Sequence, residues 1–279
     1  MNNALIVHLN CGPAGLDWAK AAGTALKAVP DLSVSQGTLT IPDSLTLSAY
    51  LFTTVPYWPD GSVFVSTIPA PEGFVTDADQ LIIVRLKNDS LIVSPNNGTA
   101  TLCAANMGIK EAWRIDPSLF GKDEFALIRC AAKLAAGLSP EEAGEVLPVS
   151  NVWLFDIPAA SISEGCAEGH VFMLLKTFGN LTFTISIDDF EKAGFTTGDR
   201  LKVTFTRHGK VEYREKMTFQ PSFGDVPEGE PVIFNGSSGY MDIGLNKKSF
   251  IDEALPQILT AESPLDFYVR IERIQGDTP

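Results

Sequence analysis

Positive charge is scarce in this sequence: 21 Lys and Arg stand against 34 Asp and Glu, for a formal net charge of −13. Affinity for nucleic acid rests on cationic side chains that displace counterions from phosphates, so no nucleic acid is expected as a partner. Histidine is scarcer, at three residues, and the four cysteines (Cys11, Cys103, Cys130, Cys166) form no CxxC pair and have no His at ligand spacing. A metal site is therefore not expected. No apolar run reaches the roughly 18 to 20 residues that cross a bilayer. The opening MNNALIVHLNCG has no basic segment ahead of its short apolar run, and reads as a buried strand rather than a signal peptide. No membrane partner and a cytoplasmic location are the resulting expectations. A Walker loop, GxGxxG, GxSxG and HExxH are all absent.

What is present is a core. Hydrophobic residues make up 45% and charged residues 20% of 279 positions, enough to bury two modest domains. In the first half, ALIVHL reads as a strand, LDWAKAAGTALKA as a helix stopped near Pro30, and LSAYLFTTVPYWP as a helix ended by its prolines. SVFVSTI, QLIIVRL and SLIVS read as strands, and DEFALIRCAAKLAAG as a helix capped by Gly137. Alternating elements of this kind imply an α/β domain with a mainly parallel sheet over residues 1–150. From residue 151 to 279 the chain changes to short strands separated by Gly, Asp and Pro turns, which implies a smaller, antiparallel β-barrel-like domain.

Three loops carry polar groups at strand ends. SPNNG, with Asn97, is either a tight turn or a pocket wall. TFGN joins two barrel strands; the Asn180 amide offers a donor and an acceptor together, matching an adenine edge, and Phe178 offers a stacking face, although a plain hairpin explains the same residues. NGSSG, with Ser237 and Ser238, is longer and more polar than a two-residue hairpin needs. It reads either as a floppy turn or as hydroxyls and amides arranged around a carboxylate. Cys11 stands beside the glycines of the first strand-end loop, where packing is the simpler account.

Taken in order, YWPDGSVFV, SPNNG, CAAKLAAGLSPEEAG, FGNLTFTISIDDFEKAG and FGDVPEGEPVIFNGSSGYMDIGLN resemble the S-adenosylmethionine hydroxide adenosyltransferases, the family that includes the fluorinases and chlorinases. The resemblance implies an α/β domain followed by a β-barrel-like domain. It also implies a homotrimer with a small-molecule nucleoside ligand between neighbouring subunits. The implied chemistry is attack by a nucleophile on the ribose 5′-carbon of S-adenosylmethionine with loss of methionine, with no cofactor and no metal. By carry-over, Phe178 and Asn180 would contact adenine, Phe223 would line the nucleoside pocket, and Ser237 and Ser238 would hold the methionine end.

The sequence departs from that family at the reacting end. Asn10 stands where an Asp grips the ribose hydroxyls, Phe120 where a His is expected, and Lys122 where an Arg is expected. Gly121 falls at the serine of the halogenase branch, and Leu175 at the acid that meets the ligand's amino group. Loss of such a charge-assisted hydrogen bond costs about 1.5 to 3 kcal/mol. The expectation is thus an adenosyltransferase-like enzyme with altered catalytic residues, in which Lys122 is the candidate electrostatic residue and Asn10, Asn97, Phe178, Asn180, Phe223, Ser237 and Ser238 bind the substrate. A noncatalytic nucleoside-binding protein and a structural trimer subunit are the alternatives.

Overall fold

The computed structural model describes residues 5–9, 34–38, 43–70, 75–123 and 125–274, with side chains from residue 43 onward. Asn10, Cys11 and the expected helix LDWAKAAGTALKA lie outside the described residues. The chain divides into two compact units, residues 1–155 and 156–279.

The first unit is built on a seven-stranded sheet. Its strands are β1 (Leu5–Leu9), β2 (Val34–Thr38), β3 (Val63–Ser66), β4 (Asp77–Leu86), β5 (Leu91–Asn96), β6 (Ile109–Ile115) and β7 (Gly144–Val146), in the order β2-β1-β3-β5-β4-β6-β7. Strands β2, β1, β3 and β5 are parallel, whereas β5–β4, β4–β6 and β6–β7 are antiparallel. The sheet is therefore mixed, not mainly parallel as the alternation of elements suggests. The reason is local: LKNDSL leaves only Lys87–Ser90 between β4 and β5, far too little chain for a crossover. Asp89 takes φ 62° to close this hairpin.

Period-two alternation gives the sheet two cores. Val63, Val65, Ile83, Val93, Trp113 and Ile115 pack with helix α4, while Phe64, Ile82, Val84, Ile92 and Ala112 pack with α1 on the other face. Helix α1 (Ser44–Thr54) starts at Asp43, whose carboxylate accepts from Thr46 N–H at 2.7 Å. Short helices α2 (Thr101–Met107) and α3 (Pro117–Phe120) precede α4 (Ala126–Ala135), and α5 (Pro140–Ala143) follows it. Leu127, Cys130, Ala131 and Leu134 form the buried stripe of α4. The helix ends as expected at Gly137, φ 106°, with Leu138 N–H donating to Lys133 O and Gly137 N–H to Leu134 O.

The second unit contains β8 (Ser161–Ser163), β9 (Cys166–Leu175), β10 (Asn180–Ser186), β11 (Arg200–Arg207), β12 (Lys210–Phe219), β13 (Pro231–Asn235), β14 (Tyr240–Leu245) and β15 (Phe267–Arg273), with helices α6 (Ile187–Lys192) and α7 (Phe250–Ala254). The order β10-β14-β13-β12-β11-β15-β9 closes by pairing β9 with β10, and β8 adds outside β9. Closure leaves the seven barrel strands without an open edge. All barrel pairings are antiparallel except a short parallel contact of β12 with β13. Leu181, Phe183 and Ile185 of β10, Ile233 of β13, and Met241 and Ile243 of β14 point into the interior with Leu201, Val203 and Phe205. Their neighbours in sequence consequently face outward.

Candidate functional site

Register on the barrel determines which outward side chains meet. Thr182 of β10 lies opposite Asp242 of β14, and Asp242 lies opposite Phe234 of β13. Asn180 stands opposite Leu175 of β9, and Thr182 opposite Met173. Directly paired residues share a face, so Asn180, Thr182, Asp242, Gly244 and Phe234 form one outward strip. Asn180, Thr182, Asp242 and Phe234 are all buried. Gly244 admits the Asn180 amide: a Cβ there would collide with Asn180 Oδ1 and approach the Phe234 ring at 3.4 Å.

Two turns and a loop border this strip. The β9–β10 hairpin turns through Gly179, φ 71°, whose carbonyl accepts from Ile251 N–H at 3.0 Å. Phe178, at the tip, is 66% exposed. The loop before β13 is held by Ser222, whose hydroxyl accepts from Gly224 N–H at 3.2 Å while its own N–H donates to Asp225 at 3.0 Å. This local cap sets Phe223 against Phe234, ring centroids 5.7 Å apart and edge to face. The β13–β14 hairpin turns through Gly236–Gly239, closed by Gly236 N–H to Tyr240 O at 2.9 Å. Ser237 is exposed there, whereas the Ser238 hydroxyl is buried and has no hydrogen-bond partner.

The barrel thus brings Phe178, Asn180, Phe223, Ser237 and Ser238 onto one sector. It adds Thr182, Phe234 and Asp242, which the sequence reading did not single out. Thr182 Oγ1 donates to Asp242 Oδ1 at 2.6 Å. Burial pushes the Asp242 carboxyl up to about 7, with the Thr182 hydroxyl pulling the other way. Alternation alone assigns Asp242 outward and hence to solvent, so only cross-strand register reveals that it is covered.

The remaining candidates belong to the first unit. Asn97 is fully buried, and its amide is engaged: Nδ2 donates to Ile68 O at 2.8 Å and Oδ1 accepts from Thr99 at 2.8 Å. The neighbouring Asn96 amide donates to Asn151 O at 3.0 Å and accepts from Trp153 N–H at 2.7 Å. Together they brace the loop at the end of β5. Lys122 is exposed on a surface cleft of about 780 Å³ that also carries Asp79, Arg114, Asp116, Asp123 and Glu145. Arg114 pairs with Glu145 at 2.6 Å, and Arg129 pairs with Asp123 at 2.5 Å, holding the Asp123 carboxyl below its usual range. Phe120 is buried with the Lys133 ammonium over its ring at 5.4 Å, so this position serves packing. Among the described residues, no group of three His, Cys, Asp or Glu is placed to hold a metal, and no helix is long and apolar enough to cross a membrane.

The chain is an α/β unit followed by a closed barrel whose outer face carries aromatic rings, an amide, a carboxyl and a serine turn. Comparison with known proteins then gives its family. The family model for the SAM hydroxide adenosyltransferase N-terminal domain matches residues 12–144, and that for the C-terminal domain matches residues 174–255. The chain is 30% identical over 229 residues to an (R)-S-adenosyl-L-methionine hydrolase of Thermus thermophilus, covering 75% of this chain and 78% of that protein. It is 29% identical over 177 residues to a fluorinase of Actinopolyspora mzabensis, covering 59% of this chain and 57% of the fluorinase. A crystal structure of an uncharacterized conserved protein from Thermotoga maritima has the same fold, with a TM-score of 0.72 at 22% identity over 97% of this chain and 100% of the other. The chain belongs to the SAM hydroxide adenosyltransferase family.

Proposed function

We propose that this protein acts on S-adenosylmethionine, a nucleophile attacking the ribose 5′-carbon while methionine departs. The carrying observation is the outer sector of the barrel, where Asn180, the Phe223–Phe234 pair and the Ser237–Ser238 turn border one outward strip. In this reading the Asn180 amide meets the adenine edge, Phe178 and Phe223 flank the base, and the serine turn takes the methionine end. Catalysis of such a reaction asks mainly for alignment of nucleophile and sulfonium and for exclusion of water, because the leaving group already carries positive charge. No metal or redox cofactor has a part in it. Lys122 would act electrostatically and Asn10 would hydrogen-bond the ribose, while Asn97 braces its loop from behind. A homotrimer in which a second copy covers this sector belongs to the same proposal, supported by the family membership.

A second reading, a noncatalytic nucleoside-binding protein, is favoured by the buried, packed Phe120 at a position where an acid–base residue is expected. Titration calorimetry with S-adenosylmethionine and adenosine, followed by chromatography of the incubated mixture, separates the two. Binding with release of methionine supports the enzyme, binding alone supports the second reading, and no binding of either compound removes both.

A further inference from the structure

A carboxylate buried without a cation is costly unless something else meets its charge. Asp242 is only 4% exposed, its Oδ1 accepts one hydrogen bond from Thr182, and no Lys, Arg or His faces it among the described residues. The side chains that flank it on β10, β13 and β14 are Asn180, Thr182, Thr184, Phe234 and Tyr240. None of these is a cationic group: they are an amide, two hydroxyls, a hydrocarbon ring and a phenol.

Over this carboxyl runs the β13–β14 turn, so close that a Cβ on Gly236 would stand 2.6 Å from Asp242 Oδ1. The turn consists of Gly236, Ser237, Ser238 and Gly239, whose side chains are no larger than a hydroxymethyl group. Within the same turn, Ser238 Oγ is buried and unpartnered. One hairpin therefore holds an acid lacking a cation and a hydroxyl lacking a partner. Ser238 Oγ is one of five buried polar side-chain atoms without a partner among the described residues, and the one that lies in this hairpin.

We propose that Asp242 is a specificity-determining residue that receives a cationic group of the ligand, with the Ser238 hydroxyl completing the contact. This rests on the reading that the ligand lies on the β13–β14–β10 face. S-adenosylmethionine carries a sulfonium and an ammonium, and adenosine carries neither, so the acid would select the charged ligand over the bare nucleoside. A cation beside Asp242 favours its ionised form. The free protein holds the carboxyl near a pKa of about 7, and binding of a cation expels that proton.

The test is titration calorimetry of the full chain with S-adenosylmethionine and with adenosine, from pH 5.5 to 8.5, in two buffers of different ionisation enthalpy. For the wild type, affinity for S-adenosylmethionine should rise by up to about tenfold per pH unit below neutrality, level off above pH 7, and be accompanied by net proton release. Adenosine affinity should stay flat. Asp242→Asn should lose the slope, the proton release and about tenfold in S-adenosylmethionine affinity at pH 8, while binding adenosine as before. Thr182→Val should retain the slope but shift it to higher pH, because the carboxylate loses its hydroxyl donor. A flat profile for the wild type, or an Asp242→Asn variant that binds S-adenosylmethionine as the wild type does, overturns the inference while adenosine binding preserves the proposed function. If neither ligand binds the wild type, both fall.

Discussion

Asn180 on β10 lies directly against Gly244 on β14, so closely that any side chain at Gly244 would collide with the Asn180 amide oxygen. A barrel strand has thus given up a side chain to seat an amide on its outer face. Gly244→Ala should tilt that amide, cost about 1 to 3 kcal/mol of stability, and weaken adenosine binding. Calorimetry alongside urea unfolding checks both effects. Asn180→Ala should weaken binding by about tenfold, in line with one lost hydrogen bond of about 1.5 kcal/mol. An unchanged affinity removes the assignment of adenine to this amide.

Gly179 is fixed by two constraints at once. Its φ is 71°, and a Cβ there would run into Ser249, backbone included. Gly179→Ala should destabilise the barrel by about 2 to 4 kcal/mol, from left-handed strain and overpacking together. The shift is read as a lower urea midpoint at unchanged slope.

Asp242 also makes stability depend on pH. Its carboxyl is raised by burial to about 7 in the folded chain, against about 3.9 when unfolded. Between those values the folded state binds more protons, so stability falls as pH rises from about 4 to 7. Asp242→Asn carries no such penalty. It should match the wild type near pH 4 and exceed it at pH 8, on the order of a few kcal/mol. Urea unfolding of both proteins at the two pH values measures the difference.

Lys122 is exposed and lines the first unit's cleft without an ion pair among the described residues. Lys122→Ala should leave stability within about 0.5 kcal/mol and adenosine affinity unchanged. If the ammonium stabilises developing charge, methionine release should drop by about ten- to a hundredfold. Chromatographic turnover reads this directly, and an unaltered rate removes Lys122 from the reaction.

The fold was legible where a pattern had one physical meaning. Gly137 beyond an apolar stripe could only be a helix cap, and the closely spaced strands after residue 151 form a barrel. The sheet is mixed where the sequence predicts a mainly parallel one, because apolar strands look alike in either direction. The signal that decides it, the short LKNDSL turn, lay in the connection instead. Asn180, Phe223, Ser237 and Ser238 stand at strand ends and turns, as the sequence places them. Asp242 was not legible, because an acid in an alternating strand reads as solvent-facing until the partner strands show what covers it. Asn97 shows the converse. Its amide looked available, yet the loop's own backbone and Thr99 engage it.

The account turns on where a nucleoside sits. A crystal structure of the protein grown with adenosine tests it most directly. The predicted result is adenine at the edge of Asn180 with Phe223 against its ring, on the outer face of β10, β14 and β13. Adenosine bound away from that face, or a face that stays filled by the protein's own side chains at saturating adenosine, would contradict it.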